Sequence, residues 1–246
     1  MGWPATLIRF VMVAVLSATA LACQPATTET APTTTASAAA TAIASGGAAR
    51  CVDSQIHPAG AFTIDADATL LGFPAALTLT DGWHGCSLLY KDLGDPGGEM
   101  LIGTWDVTNV YADPCHWKTS LPSPAVGPAV DDLVAALASQ AITESTTPDD
   151  VVLDGYAGKR LRLSVALSFH ATDCDADQIQ EFRIFNGPGD AVWWLGAADA
   201  AGLIGDVWVV QVGGQRSVIQ AASFTDAGEE HRAELQRIVE SIDFMP

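Results

Sequence analysis

The residues best suited to chemistry in this chain are cysteines and histidines that sit close together. His84-Gly85-Cys86, Cys115-His116 and His170-Ala171-Thr172-Asp173-Cys174 each place an imidazole beside a thiol. Thiolate and imidazole are the ligands zinc or copper would use. His84, Cys86, Cys115, His116, His170 and Cys174 therefore form one candidate metal set, though no Cys-x-x-Cys accompanies them. The competing chemistry is oxidation. Cys51, Cys86, Cys115 and Cys174 are an even set, and in an exported domain such a set reads as two disulfides. Three connectivities exist, and the expectation is Cys51–Cys86 with Cys115–Cys174. The disulfide reading is preferred, so neither a metal nor another cofactor is expected.

Other chemistry is sparse. Asp173, Asp175 and Asp177 alternate as in a calcium loop. Gln178 stands where an EF-hand loop needs glycine, and Ile184 where it needs the bidentate glutamate. A solvated loop stapled by a disulfide is the expectation there. His84, His116 and His170 are candidate general bases. No Gly-x-Ser-x-Gly, His-Glu-x-x-His, P-loop or Gly-x-Gly-x-x-Gly occurs. No catalytic residue is therefore assigned, and an enzyme is the less favoured reading. Its concrete form is an envelope hydrolase with a site assembled from distant residues. Aromatic side chains are the remaining lead. Trp117, Trp193 and Trp194 are weak candidates for stacking on a ligand. Adjacent Trp193 and Trp194 point to opposite faces if they lie on a strand.

These residues need a scaffold, and the pattern supplies one. Residues 75–80 alternate and stop at the turn signal Asp81-Gly82. Strands are predicted at 86–90, 100–105, 151–153, 160–165, 182–185 and 191–195. Leu and Val alternate with Arg and Ser over 160–165, which predicts one wet face. Residues 206–212 and 216–221 flank Gly213-Gly214, a hairpin signal because a type I′ turn needs positive φ twice. Val130, Leu133, Val134 and Leu137 repeat at the spacing of one buried helix face. A second helix is predicted over 227–241, with Asp226 and Glu229 as its capping box. The sum is an α+β fold: an antiparallel sheet with a mid-chain helix and a C-terminal helix packed on it.

The start of the chain reads as an address. Arg9 precedes the apolar run Phe10-Val11-Met12-Val13-Ala14-Val15-Leu16, and Thr19-Ala20-Leu21-Ala22 ends at Cys23. The run is short for a membrane span. Small residues before a cysteine resemble the lipobox of bacterial lipoproteins. That resemblance implies cleavage before Cys23 and acylation of Cys23, palmitate included. Several acyl chains at about 0.8 kcal/mol per buried methylene anchor a protein stably. Residues 24–49 are almost entirely Ala, Thr, Pro, Ser and Gly, with Glu29 the one charge. Such a stretch buries too little to offset its ordering entropy and reads as a tether. The expected organisation is a signal peptide over 1–22, a lipidated Cys23 with tether over 23–50, and one domain over 51–246.

Composition narrows the partners. The chain carries 11 Lys+Arg against 29 Asp+Glu, a net charge of −18. Phosphate backbones and anionic headgroups both select basic surfaces, which argues against nucleic acid and against headgroup docking. Hydrophobic residues make up 49% of the chain, enough for a core and too many for wholesale disorder.

Several stretches carry a resemblance. They are Leu79-Thr80-Asp81-Gly82-Trp83, residues 130–137, Leu153-Asp154-Gly155-Tyr156-Ala157-Gly158-Lys159, and residues 206–216 with the helix that ends the chain. In type and order they resemble uncharacterised extracytoplasmic lipoproteins of high-GC bacteria, the actinobacterial kind. The layout also resembles the PsbP-like α/β/α sandwich. In the hairpin, Gln211 and Gly213 replace two acids of that group's usual Asp-Val-Asp-Gly-x-Arg, while Gly214 and Arg216 match. The resemblance brings no catalytic residues; it implies turn roles for Gly155, Gly158 and Gly214, and packing roles for Tyr156 and Trp208. Together these readings lead to one expectation. The chain is a lipid-anchored protein on the extracytoplasmic side of the cell membrane, a non-catalytic binding or accessory module. Its partner is an envelope protein, a glycan or a small ligand. A metal-handling lipoprotein and a hydrolase are the alternatives.

Overall fold

The computed structural model describes residues 55–64, 74–86, 88–94, 98–188 and 192–246. The signal peptide, Cys23, the tether and Cys51 lie outside the described residues. In chain order the elements begin with β1 (Ile56–His57), β2 (Gly60–Ile64), β3 (Ala75–Leu79), β4 (Trp83–Gly85), β5 (Leu88–Gly94), β6 (Gly98–Trp105) and β7 (Asn109–Val110). Two helices follow, α1 (Trp117–Ser120) and α2 (Val130–Ala138). Then come β8 (Thr143–Ser145), β9 (Asp149–Leu153), β10 (Tyr156–Val165), β11 (Glu181–Asn186) and β12 (Val192–Gly196). The chain closes with β13 (Leu203–Val212), β14 (Gln215–Phe224), α3 (Gly228–Glu240) and β15 (Asp243–Phe244).

The large sheet runs β1-β4-β5-β6-β14-β13-β10-β8, with β9 also paired to β10. Two smaller sheets, β12-β11-β7 and β15-β3-β2, complete the framework. This is the expected α+β class, with mostly antiparallel strands and a C-terminal helix. Gly213 and Gly214 turn the β13–β14 hairpin with φ of 57° and 86°, the mirror-image turn their sequence predicted.

The large sheet is covered on both faces, which period-2 reading did not reveal. One face packs with α3 and the β15-β3-β2 sheet around Trp83, Leu89, Ile102, Trp208, Ile219, Leu235 and Ile238. The other packs with α2 and β11 around Leu133, Leu137, Leu161, Leu163, Phe182, Phe185, Val207 and Val218. Strands β13 and β14 are therefore buried on both sides, as their near-continuous apolar runs require.

The wet face expected on β10 is only partly wet. Arg160 and Arg162 both reach Asp206 on β13, at 3.2 and 2.8 Å, and Arg160 also lies over the Trp208 ring at 5.0 Å. Two further local expectations need correction. Gly158 is not a turn residue; it lies inside β10, where a Cβ would fall 2.3 Å from the Val209 carbonyl oxygen. Asp226 does not cap α3: a 3-10 turn over Thr225–Ala227 leads into the helix, and no side chain caps it.

Two polar devices lock the layers. Glu234 on α3 accepts hydrogen bonds from Lys91 Nζ at 2.8 Å, Trp83 Nε1 at 3.1 Å and the Thr80 hydroxyl. Burial pushes its carboxyl up, but these donors outweigh burial and hold it below the ordinary glutamate value. Arg216, at the start of β14, donates to the carbonyls of Gly127, Ala129 and Val107. It thereby pins the Pro/Ser-rich segment that leads into α2.

Candidate functional site

The sequence-derived candidates fall in three places. Cys115 and Cys174 are joined in a disulfide with their Cα atoms 4.5 Å apart. Cys86 is disulfide-bonded too, and its expected partner Cys51 lies outside the described residues. The metal set therefore lacks its thiolates. Among the described residues no three His, Cys, Asp or Glu side chains converge as metal ligands. Two of the three acids of the stapled loop are engaged within the protein. Asp175 accepts from the Lys118 backbone N–H at 2.8 Å, and Asp177 pairs with Arg183 at 3.0 Å.

Trp117, expected to stack on a ligand, is 9% exposed. The Arg183 guanidinium covers its ring at 3.2 Å. That face is taken by an internal cation–π contact. Trp193 and Trp194 lie on β12, opposite Phe185 and Arg183 respectively. Their side chains are outside what is described.

His116 is the one sequence-derived base with a carboxylate partner among the described residues. Its Nδ1 lies 2.9 Å from Asp113 Oδ2. That hydrogen bond, with the negative charge behind it, raises the His116 pKa above its ordinary 6.5. Burial acts to raise Asp113, but hydrogen bonds from His116 and from the Cys115 and His116 backbone N–H groups prevail and lower it. His116 thus stabilises the fold fully below pH 6.5, and that contribution is lost as pH rises through its raised folded value. Asp113 contributes above its ordinary 3.8, and that contribution is lost as pH falls through its lowered value. An NMR titration checks this: His116 titrates above 6.5 in the wild type, and Asp113→Asn returns it to the ordinary range. Among the described residues no serine hydroxyl bonds His84, His116 or His170.

The site that the structure does assemble lies on the large sheet, where one covered face becomes open. On β4, β5 and β6, side chains alternate strictly. Trp83, Leu89, Lys91, Met100 and Ile102 turn toward α3, with all but Lys91 buried. His84, Tyr90, Asp92, Glu99 and Leu101 turn the other way, and none of them is buried. They share that face with Ile56 on β1, whose side chain is 69% exposed. Ile56, Gly82, His84, Tyr90 and Asp92 line a shallow groove of about 450 Å³, open to solvent.

Its geometry is specific. The His84 and Tyr90 rings meet edge to face with centroids 3.7 Å apart. Beside them Asp92 and Glu99 are directly opposite across β5 and β6. Burial, and then the charge of Asp92, raises the Glu99 carboxyl above its ordinary value. Neither acid has an ion-pair partner among the described residues. Lys91, next in sequence to Asp92, points to the opposite face and pairs with Glu234. An aromatic pair with two adjacent carboxyls can hold a ring-shaped, hydroxyl-bearing molecule: C–H faces on the rings, hydroxyls on the acids. Sequence reading set His84 beside Cys86 and missed Tyr90, Asp92 and Glu99. The signal was present in the alternation of 88–92, but only the β5–β6 register puts Asp92 opposite Glu99.

No family model and no curated protein matches the chain. Among solved structures, a similar chain is the cyanobacterial PsbP protein (CyanoP) from Synechocystis, a solution structure. The match is 12% identical, covers 81% of this chain and 100% of that one, and has a TM-score of 0.34. At that level it adds nothing to the fold described above.

Proposed function

We propose that the chain is a lipid-anchored extracytoplasmic lipoprotein whose folded part is a non-catalytic module binding an envelope glycan. The observation that supports this most directly is the open end of the sheet, where His84 and Tyr90 border the unneutralised carboxyls of Asp92 and Glu99. Neutral sugars need acceptors for hydroxyls and a flat apolar surface, and this groove offers both. A groove bordered by acids on a chain of net charge −18 also repels anionic polymers, which favours a neutral or amino-bearing saccharide. Anchoring at Cys23 with the Ala/Thr/Pro-rich segment behind it would keep the groove near the envelope while leaving it free to search.

Two experiments test the two halves. For the groove, the mature chain in detergent is titrated with soluble fragments of envelope glycan by calorimetry. The expected result is saturable binding that Tyr90→Ala weakens several-fold, up to about tenfold, the scale of one lost stacking contact. Wild-type protein that binds none of the fragments would falsify the glycan reading. For the anchor, cells are grown with labelled palmitate. The wild type takes up label and sediments with membranes, and Cys23→Ala does neither. Unlabelled but membrane-bound wild type would require a different anchor.

A further inference from the structure

The groove occupies one face of the large sheet. The opposite face carries, toward its β10 edge, a group of charges that the proposed function does not use. Leu161, Leu163 and Val165 of β10 turn toward α2. Arg160 and Arg162 alternate with them, so they turn to the α3 side, beside Asp206 and Trp208 of β13. Helix α3 packs chiefly over β14, β3 and β6. Over Trp208 the Arg160 guanidinium forms part of the cover.

Both guanidiniums close on one carboxylate. Arg160 Nη2 and Arg162 Nε donate to the same atom, Asp206 Oδ1, at 3.2 and 3.1 Å. Arg162 Nη2 donates to Asp206 Oδ2 at 2.8 Å. The two cations are therefore fixed side by side, and Asp206 offsets only one of them. Glu229 on α3 also bears on Arg162, but its carboxylate is 99% exposed and shared with Arg232. Arg232 lies about 200° around the helix from Glu234, which points to Lys91 on β5, so it is on the flank toward β13 and β10. Three guanidiniums thus meet two carboxylates. The ion pairs of Lys91, Lys118, Lys159 and Arg183 supply an acid for every cation. On a chain of net charge −18, this shelf alone among the described ion pairs keeps a surplus positive charge. Donors to carry that charge to a ligand are free. Arg160 Nε and Nη1 and Arg162 Nη1 have no partner among the described residues, and the two side chains are 24% and 39% exposed.

We infer that this shelf is a second binding site, which takes the carboxylate group of a small soluble molecule on the free edges of Arg160 and Arg162. Asp206 shows the fit: one carboxylate already takes a fork from Arg162 and a further hydrogen bond from Arg160. A single negative charge cancels the surplus. A dianionic phosphate overshoots it and meets Asp206 and Glu229 as like charges. The site does not depend on the glycan reading, since it lies on the other face of the sheet and takes a ligand of the charge that the groove repels.

The test titrates acetate into the full mature chain at constant ionic strength, with chloride making up the balance. Binding is followed through the arginine Nε–H resonances, assigned by their loss in Arg160→Gln and Arg162→Gln. The expected result is a saturable shift of both resonances. Arg162→Gln weakens binding about fivefold, the scale of one exposed ion pair, and Lys118→Gln leaves it unchanged. Asp206→Asn frees the occupied donors, so it tightens binding several-fold even as it lowers Tm, an opposition that a purely structural Arg–Asp–Arg ladder does not produce. Shifts that never saturate and that chloride reproduces are screening alone and overturn the inference. Unchanged affinity in folded Arg162→Gln does the same. Saturable binding of phosphate but not acetate, or of phosphatidylglycerol vesicles alone, overturns the choice of a carboxylate. Because glycan fragments act at Tyr90 and acetate at Arg162, the two proposals fail separately.

Discussion

Trp83→Ala is expected to destabilise the domain by about 3–5 kcal/mol, the range for deleting a fully buried large aromatic. Trp83 is 0% exposed and packs in the core between the large sheet and α3. Removing it opens a cavity that Leu77, Leu79 and Leu89 cannot fill without leaving their own contacts. It also takes from Glu234 one of the three side-chain donors that hold its carboxylate inside the protein. Thermal melting then shifts down by roughly 10 °C for a domain of this size. Trp83→Phe separates the two causes. It keeps most of the volume and loses only the indole N–H, so its cost should stay near the 1.5–3 kcal/mol of a hydrogen bond to a charged group, about. Equal losses in Trp83→Phe and Trp83→Ala would show that the carboxylate network, not packing, dominates.

The second large effect is expected from the Cys115–Cys174 bond. Its sequence separation of 59 residues gives about 4 kcal/mol in the chain-entropy account. The bond joins the segment before α1 to the loop before β11, and the Trp117–Arg183 stack forms between those same segments. The double variant Cys115→Ala, Cys174→Ala is the right probe, because reductant would also open the bond at Cys86. Urea unfolding of the double variant should lose most of that stabilisation with little change in the groove. A loss under about 1 kcal/mol would mean that backbone contacts suffice to hold the loops. Candidates are Asp175 N–H to Cys115 C=O at 2.8 Å and Arg183 N–H to Pro114 C=O at 2.9 Å.

What could be read from sequence followed from local physics. The Gly213-Gly214 hairpin, helix α2 and helix α3 emerge from turn chemistry and 3.6-residue spacing, which are properties of a few neighbouring residues. Covering of both sheet faces does not. The apolar runs of β13 and β14 fit a doubly buried strand, but the covering layers come from segments as distant as β3 and β11. The candidate site was less legible still. His84 stood out for its neighbour Cys86, whereas in the fold its partner is Tyr90, delivered by the β4–β5 turn. Asp92 and Glu99 are seven positions apart in sequence and face each other only through strand register. Trp117 was chosen for its type, and type alone does not disclose that Arg183, 66 positions away, lies over it.

The position of the last residues has a consequence for how the molecule comes into being. Phe244 on β15 belongs to the first core, β15 pairs with β3, and the Met245 N–H reaches the Pro74 carbonyl. Helix α3 supplies Glu234, Leu235 and Ile238 to residues near the other end of the described chain. Trp83 and Glu234 are 151 positions apart. Until residues 228–244 are made, a growing polypeptide lacks the α3 and β15 side chains that share this core with Leu77, Trp83 and Leu89. Closure of this core therefore waits on contacts between segments far apart in sequence, the kind that form late in folding.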